Sequence, residues 1–176
     1  MILVLGASGY IGSHIYSRLL ADGREVAGTC HSNPGKGLLS FDMEKQVFPL
    51  PELKPEKITH IIVAAASTTR VDQVGKQWDK SYAIDVVNIK SILDTCKKFE
   101  IFPVYFSSDF VFDGQKGNCL ETDPTNPLNG YGKIKAHIES YIAQEFKDYL
   151  IIRTGKVFGT RLNDNTLMTS MLNDLK

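Results

Sequence analysis

The stretch MILVLGASGYIGSHIYSRLLA, Met1–Ala21, governs how the rest of this 176-residue chain is read. An uncharged apolar run, Met1–Leu5, leads into Gly6, Gly9 and Gly12, and these lead into Ile11, Ile15 and Leu19 at helical spacing. The pattern predicts a buried strand, a tight turn and a helix. Such a unit can bring a diphosphate against unpaired backbone N–H groups at the helix N-terminus, where the macrodipole also favours negative charge. Glycine suits the turn because a side chain at Gly6 or Gly9 would fill the space the phosphates need. The spacing G-x-x-G-x-x-G is also compatible with an ordinary strand-to-helix turn; the strand before it and the helix after it favour the ligand-binding reading.

The remaining chain alternates in the same way. Asp22-Gly23 stops the first helix, and Glu25–Cys30 reads as a second strand. Leu38–Asp42 is a short third strand, the proline-rich run Phe48–Pro55 a surface connection, and Ile58–Ala66 a fourth, buried strand. Gln73–Phe99 is expected to be helical, with Val86, Ile89, Leu93 and Cys96 on one core-facing side. Ile101–Ser107 is a fifth strand, Gly114–Gly130 a loop, Tyr131–Phe146 a helix through Ile134, Ile138 and Ile142, and Asp148–Thr154 a sixth strand. Leu167, Met171 and Leu175 mark a last helix. Strands alternating with helices imply right-handed crossovers, and so an α/β fold with a doubly wound parallel sheet.

Composition narrows the possible functions. Lysine plus arginine number 20 and aspartate plus glutamate 20, so no overall field draws in nucleic acid or an acidic membrane. Any anionic ligand must be held locally. Cys30, Cys96 and Cys119 are an odd number without C-x-x-C spacing, against both a disulfide framework and a metal site. No apolar run approaches the roughly 18 residues of a membrane span, and Met1 opens the first strand without a basic leader, so a cytoplasmic protein is expected.

Two regions could carry chemistry. In open parallel sheets ligands sit at the carboxyl edge of the strands, and the fourth strand ends there in Ala64, Ala65 and Ala66. Such small residues leave room for a flat ligand, or allow close packing of a helix. The residues just past the second strand are His31, Ser32 and Asn33, then Pro34, Gly35 and Lys36. A carboxylate there would take the ribose hydroxyls of NAD and repel a 2′-phosphate. Its absence, with an imidazole, a hydroxyl and a cation on offer, favours NADP(H) over NAD(H). The second region is Tyr131 and Lys135, four apart on one helix face, with Ser108 ending the fifth strand. A neighbouring ammonium is expected to lower the tyrosine pKa toward the working pH, making Tyr131 a usable acid or base. Ser108 can donate a hydrogen bond to the oxygen that Tyr131 protonates. The three suit hydride transfer at a carbon bearing oxygen.

GASGYIG (Gly6–Gly12), SSDFVFDG (Ser107–Gly114), ETDPTNPLNGYGKIK (Glu121–Lys135) and IIRTGKVFG (Ile151–Gly159) resemble, in order and spacing, the extended short-chain dehydrogenases/reductases of nucleotide sugars. The closest branch is that of the dTDP-4-dehydrorhamnose reductases. The resemblance implies NAD(P)H-dependent reduction of a 4-keto sugar on a nucleoside diphosphate, with Ser108, Tyr131 and Lys135 catalytic. It implies cofactor contacts from Gly6, Ser8, Gly9, Tyr10, Ile11 and Gly12, from His31 and Ser32, and from Asp42 and Met43 near the adenine. Ala64, Ala65, Ala66 and Ser107 would join Tyr131 and Lys135 on the cofactor, while Ser67, Asp109 and Arg153 would face substrate.

Departures from the family pattern are informative. Ser108 stands where the branch usually has threonine, Gly75 where it has glutamate after the Val71-Asp72 pair, and Asp85 where it has asparagine. The family also continues past the sixth strand with a further strand and a sugar-nucleotide region. Residues 1–160 therefore read as a dinucleotide-binding domain and 161–176 as the start of the next helix, without a full substrate lobe. An open sheet edge would invite a homodimer. An epimerase or dehydratase, or a non-catalytic NAD(P)-binding regulatory module, are the alternatives.

Overall fold

A computed structural model describes residues 1–32, 35, 37–45, 48–66, 71 and 73–159. Six strands, β1 (Ile2–Leu5), β2 (Val26–Cys30), β3 (Leu39–Ser40), β4 (His60–Val63), β5 (Phe102–Ser108) and β6 (Leu150–Thr154), form one sheet in the order β3-β2-β1-β4-β5-β6. Every pairing is parallel, as in Val4 beside Ile62 and Val63 beside Tyr105. The order reverses between β1 and β4, and that reversal opens a crevice at the carboxyl edge. Four helices follow: α1 (Tyr10–Ala21), α2 (Trp78–Tyr82), α3 (Ile89–Lys98) and α4 (Gly130–Glu145). α1 packs on β1 and β2, while α3 and α4 pack on each other and on β5. With right-handed crossovers running in opposite directions from the reversal, these groups cover opposite faces.

Apolar burial holds these layers. Leu3, Leu5 and Ile61 are fully buried in the sheet, and Ile134, Ile138 and Ile142 form the inward stripe of α4. Val86, Ile89, Leu93 and Cys96 are all buried as their spacing requires, and burial pushes the Cys96 thiol up to about 12, so it behaves as a small apolar side chain.

The elements differ from the sequence reading mainly in their limits. β3 is two residues long, because the chain turns at Asp42, whose carboxylate accepts from the Glu44 N–H at 2.9 Å. β4 stops at Val63, so the three alanines are extended backbone beyond the strand and not part of it. The helix expected over 73–99 is three pieces: turns around Gly75, then α2, then a π-helical turn over Ala83–Asn88 that leads into α3. Within that turn Asp85 faces inward with Val86, and Val87 is exposed. The expected last helix over 161–176 lies outside the described residues.

Candidate active site

The glycine turn is built as its sequence demands, but each glycine serves differently. Gly6 lies at φ +80°, and a Cβ on it would come within 2.9 Å of the Ala65 backbone. A Cβ on Gly12 would lie 2.1 Å from the Gly6 carbonyl oxygen. Both are required by packing. Gly9 is exposed, has φ −76°, and caps α1 without a side-chain hydrogen bond. The first N–H groups of a 12-residue helix therefore open onto solvent beside a residue with no side chain. Thr29 fixes the turn by accepting from the Gly6 N–H at 3.1 Å.

That helix end opens on a cleft of about 240 Å³ that Gly6, Ser8, Gly9, His31, Ser32, Asp42, Met43, Ala64, Ala65 and Ala66 all line. Thr29, Cys30, Phe41, Glu44 and Ile84, which the sequence reading missed, complete its wall. Tyr10, Ile11 and Gly12, the first residues of α1, are not among this lining; the Tyr10 ring stands 4.9 Å from that of His14. Asn33, Pro34, Lys36 and Ser67 lie outside the described residues. A different cation, Lys45, stands near the second strand's end, 2.9 Å from Asp42, with His31 Nε2 at 3.5 Å from the same oxygen. The Lys45 hydrogen bond is the largest cause holding the Asp42 carboxyl below its ordinary range.

The second cluster forms where β5 ends against α4. Asn129 caps α4 by accepting from the Gly132 N–H at 2.8 Å, which sets Tyr131 in the first turn. The Tyr131 ring meets Phe110 edge-on at 6.0 Å, and Ser108 stands close enough to oppose the upward shift of its phenol. Ser108 Oγ in turn donates to Asp109 Oδ1 at 2.9 Å. Lys135 is buried beneath, its Nζ donating to the Phe106 carbonyl at 2.8 Å and lying 5.6 Å from the Tyr131 ring centroid. Ser107 is buried, and its hydroxyl has no partner among the described residues.

One expectation is corrected. Lys135 was to lower the Tyr131 pKa, but the phenol is raised above 10.0, first by burial and then by the Asp85 and Asp109 carboxylates. Burial also pulls the Lys135 ammonium down to about 8, opposed by Asp85 and Glu139. The desolvation that the lysine and tyrosine share outweighs their attraction. Tyr131 is therefore a neutral phenol at working pH, a proton donor and not a ready base.

Arg153 is half-buried and held by several partners. It clamps Glu139 through Nε and Nη2, the shortest contact being 2.7 Å, donates Nη1 to the Glu121 carbonyl at 3.1 Å, and stacks 4.9 Å over Phe112. It and Asp109 line a broad groove of about 1340 Å³ between the loop after β5, α4 and the edge strand β6. The hinge of this region is Gly132, where a Cβ would lie 2.1 Å from the Phe110 carbonyl oxygen. Gly132→Ala is expected to force α4 off that turn and lower stability by about 2–3 kcal/mol in urea unfolding; an unchanged midpoint would refute this close packing.

With this geometry in view, the similarities of the chain become specific. The family model described as RmlD substrate binding domain matches residues 1–176. The chain belongs to the RmlD substrate binding domain family. A dTDP-4-dehydrorhamnose reductase of Aggregatibacter actinomycetemcomitans is 30% identical over 161 residues, covering 90% of this chain and 52% of its own. Methionine adenosyltransferase 2 subunit beta of Xenopus laevis is 29% identical over 160 residues, covering 89% of this chain and 47% of its own. The crystal structure of a hypothetical dTDP-4-dehydrorhamnose reductase from Sulfolobus tokodaii superposes with a TM-score of 0.77 at 34% identity, covering 91% of this chain and 57% of that one. This member of the RmlD family thus spans about half the length of the curated relatives it matches. Among its described residues, no helix is long and apolar enough to cross a membrane.

Proposed function

We propose that this chain binds NADP(H) in preference to NAD(H) and reduces a 4-keto sugar carried on a nucleoside diphosphate, the chemistry for which its reductase relatives are named. The observation that carries the reading is the convergence of Ser108, Tyr131 and Lys135 at the end of β5, on the same carboxyl edge of the parallel sheet as the uncapped glycine turn after β1. The turn fits a dinucleotide: open N–H groups and exposed Gly9 suit its diphosphate, the alanine-lined wall its flat rings, and the unpartnered Ser107 hydroxyl a polar group of the ligand. The cofactor supplies a hydride to the carbonyl carbon. Tyr131 donates its proton to the carbonyl oxygen, Ser108 turns its single hydrogen from Asp109 to that same oxygen, and Lys135 holds positive charge beneath the phenol as its proton leaves. Asp109 orients Ser108 and borders the groove, where a sugar would lie.

His31 and Ser32 with nearby Lys45 support the preference for NADP(H), since the Lys45 ammonium already pairs with the Asp42 carboxylate. Nicotinamide fluorescence is expected to report NADPH binding about tenfold tighter than NADH, a difference of ~1.4 kcal/mol. Equal affinities would remove the preference. Consumption of NADPH on adding a dTDP-linked 4-keto sugar would establish the reaction. A second reading, a module that binds cofactor and a partner protein without turnover, is favoured by the relative named as a subunit; tight NADPH binding with no turnover of any 4-keto nucleotide sugar would select it.

A further inference from the structure

Asp85 is a carboxylate in an unfavourable place. It is 9% exposed, while Val87, two residues on in the same π-helical turn, is 53% exposed. An amphipathic segment would normally face these the other way. One turn earlier Ser81 is fully buried, and its hydroxyl has no partner among the described residues. The inward face of this segment therefore carries Asp85 and Ser81 beside the buried Ile84 and Val86. Burying a carboxylate carries a large desolvation penalty unless a cation is close. The π-helical turn packs against α4, where Lys135 is 7% exposed.

The other charged and titratable groups around Lys135 are accounted for. From its own helix come Tyr131 and Glu139, and from β5 comes the Tyr105 ring, 4.8 Å from Nζ. Glu139 is 5% exposed and is neutralised by the two-pronged contact with Arg153. Tyr105 is a deeply buried phenol whose own ionisation is suppressed by burial. Asp109 faces Tyr131 from the end of β5 and accepts from Ser108.

We infer that Asp85 is a positioning residue, whose buried carboxylate sits on the turn packed against the Lys135 helix, next to the Tyr82–His137 ring contact, keeps that lysine an ammonium and keeps Tyr131 a proton donor. The directions agree: Asp85 raises both Lys135 and Tyr131. The inference rests on the reductase reading for its use, but its test does not depend on turnover.

Lys135 is followed by 13C NMR of its ε-carbon, assigned with Lys135→Met, and Tyr131 by its phenolate absorbance, assigned with Tyr131→Phe. In Asp85→Asn, an isosteric change that removes only charge, the Lys135 midpoint is expected to fall by about one pH unit and the Tyr131 phenolate to form at lower pH. A folded variant that still binds NADPH but leaves both titrations in place overturns the inference, because a merely structural Asp85 would do the same. Should Asp85→Asn not fold, the wild-type chain decides: a Lys135 midpoint near 8 supports the counter-charge, and one below about 7 overturns it. Shifted titrations in a chain that reduces no 4-keto nucleotide sugar would refute the reductase reading alone.

Discussion

Gly12→Ala is expected to unfold or severely destabilise the chain, whereas Gly9→Val is expected to leave the fold intact and abolish NADPH binding. The two glycines are three residues apart in one motif, yet the structure separates their roles. A methyl on Gly12 would sit 2.1 Å from the Gly6 carbonyl oxygen and 2.8 Å from its carbon, both backbone atoms in a turn that Thr29 pins. Relief requires α1 to move off β1, so a loss of about 3 kcal/mol or more is expected. Gly9 has an ordinary φ of −76°, and its Cβ would meet only the Gly6 oxygen at 3.2 Å, a contact relieved by a shift of a few tenths of an ångström. The valine branches would instead project over the open N–H groups of α1. Denaturant midpoints should fall for Gly12→Ala and barely move for Gly9→Val, while fluorescence titration should show at least a ~100-fold affinity loss for Gly9→Val, the scale of losing the helix-end contacts. Gly9→Val binding NADPH normally would show that the diphosphate does not lie on this turn.

The same contrast marks what a linear reading can reach. Local devices were legible: the apolar run and glycines of Met1–Gly12, the inward stripe of α4, and the four-residue spacing of Tyr131 and Lys135 all express their geometry within a few positions. The doubly wound parallel sheet also followed, because crossover handedness leaves few alternatives once alternation is recognised. Arg153 was not legible. Its partner Glu139 is 14 residues away on another element, and this partner clamps the guanidinium at the wall of the groove. The three-part division of the 73–99 segment was hidden as well, since a π-helical turn has no strong local signature and is settled by how Asp85 and Val86 pack. The ionisation of Tyr131 was misjudged for a related reason. Spacing reveals that a cation is near a phenol, but burial comes from the tertiary fold, and it acts on both groups at once.

Lys135→Met is expected to stabilise the fold at neutral pH while removing catalysis, a pairing that separates a chemical role from a structural one. Burial lowers the Lys135 ammonium from 10.5 to about 8. Below about pH 8 the folded and unfolded chains both hold this proton, and the folded chain bears the full penalty of a buried charge, about 3 kcal/mol from the separation of the two values. Between about 8 and 10.5 the unfolded chain holds a proton that the folded chain has released, so this group makes stability rise with pH across that window. Methionine fills similar space without charge, although it loses the 2.8 Å hydrogen bond to the Phe106 carbonyl, which contributes about 1 kcal/mol. The net gain at about pH 7 is therefore ~2 kcal/mol, and it should vanish as the wild type approaches about pH 10. Urea midpoints of both chains at the two ends of this window check it; a variant less stable than wild type at neutral pH would mean that Lys135 holds the fold and not the chemistry. Tyr131→Phe supplies the comparison, because it removes the proton donor but leaves the buried charge. Its turnover should fall by about 10²–10⁴-fold with NADPH affinity nearly unchanged and without the stability gain. Lys135→Met should lose turnover at least as fully. A buried ammonium that weakens the fold, beside a phenol that donates one proton, is then explained by the developing negative charge that it faces when that proton leaves.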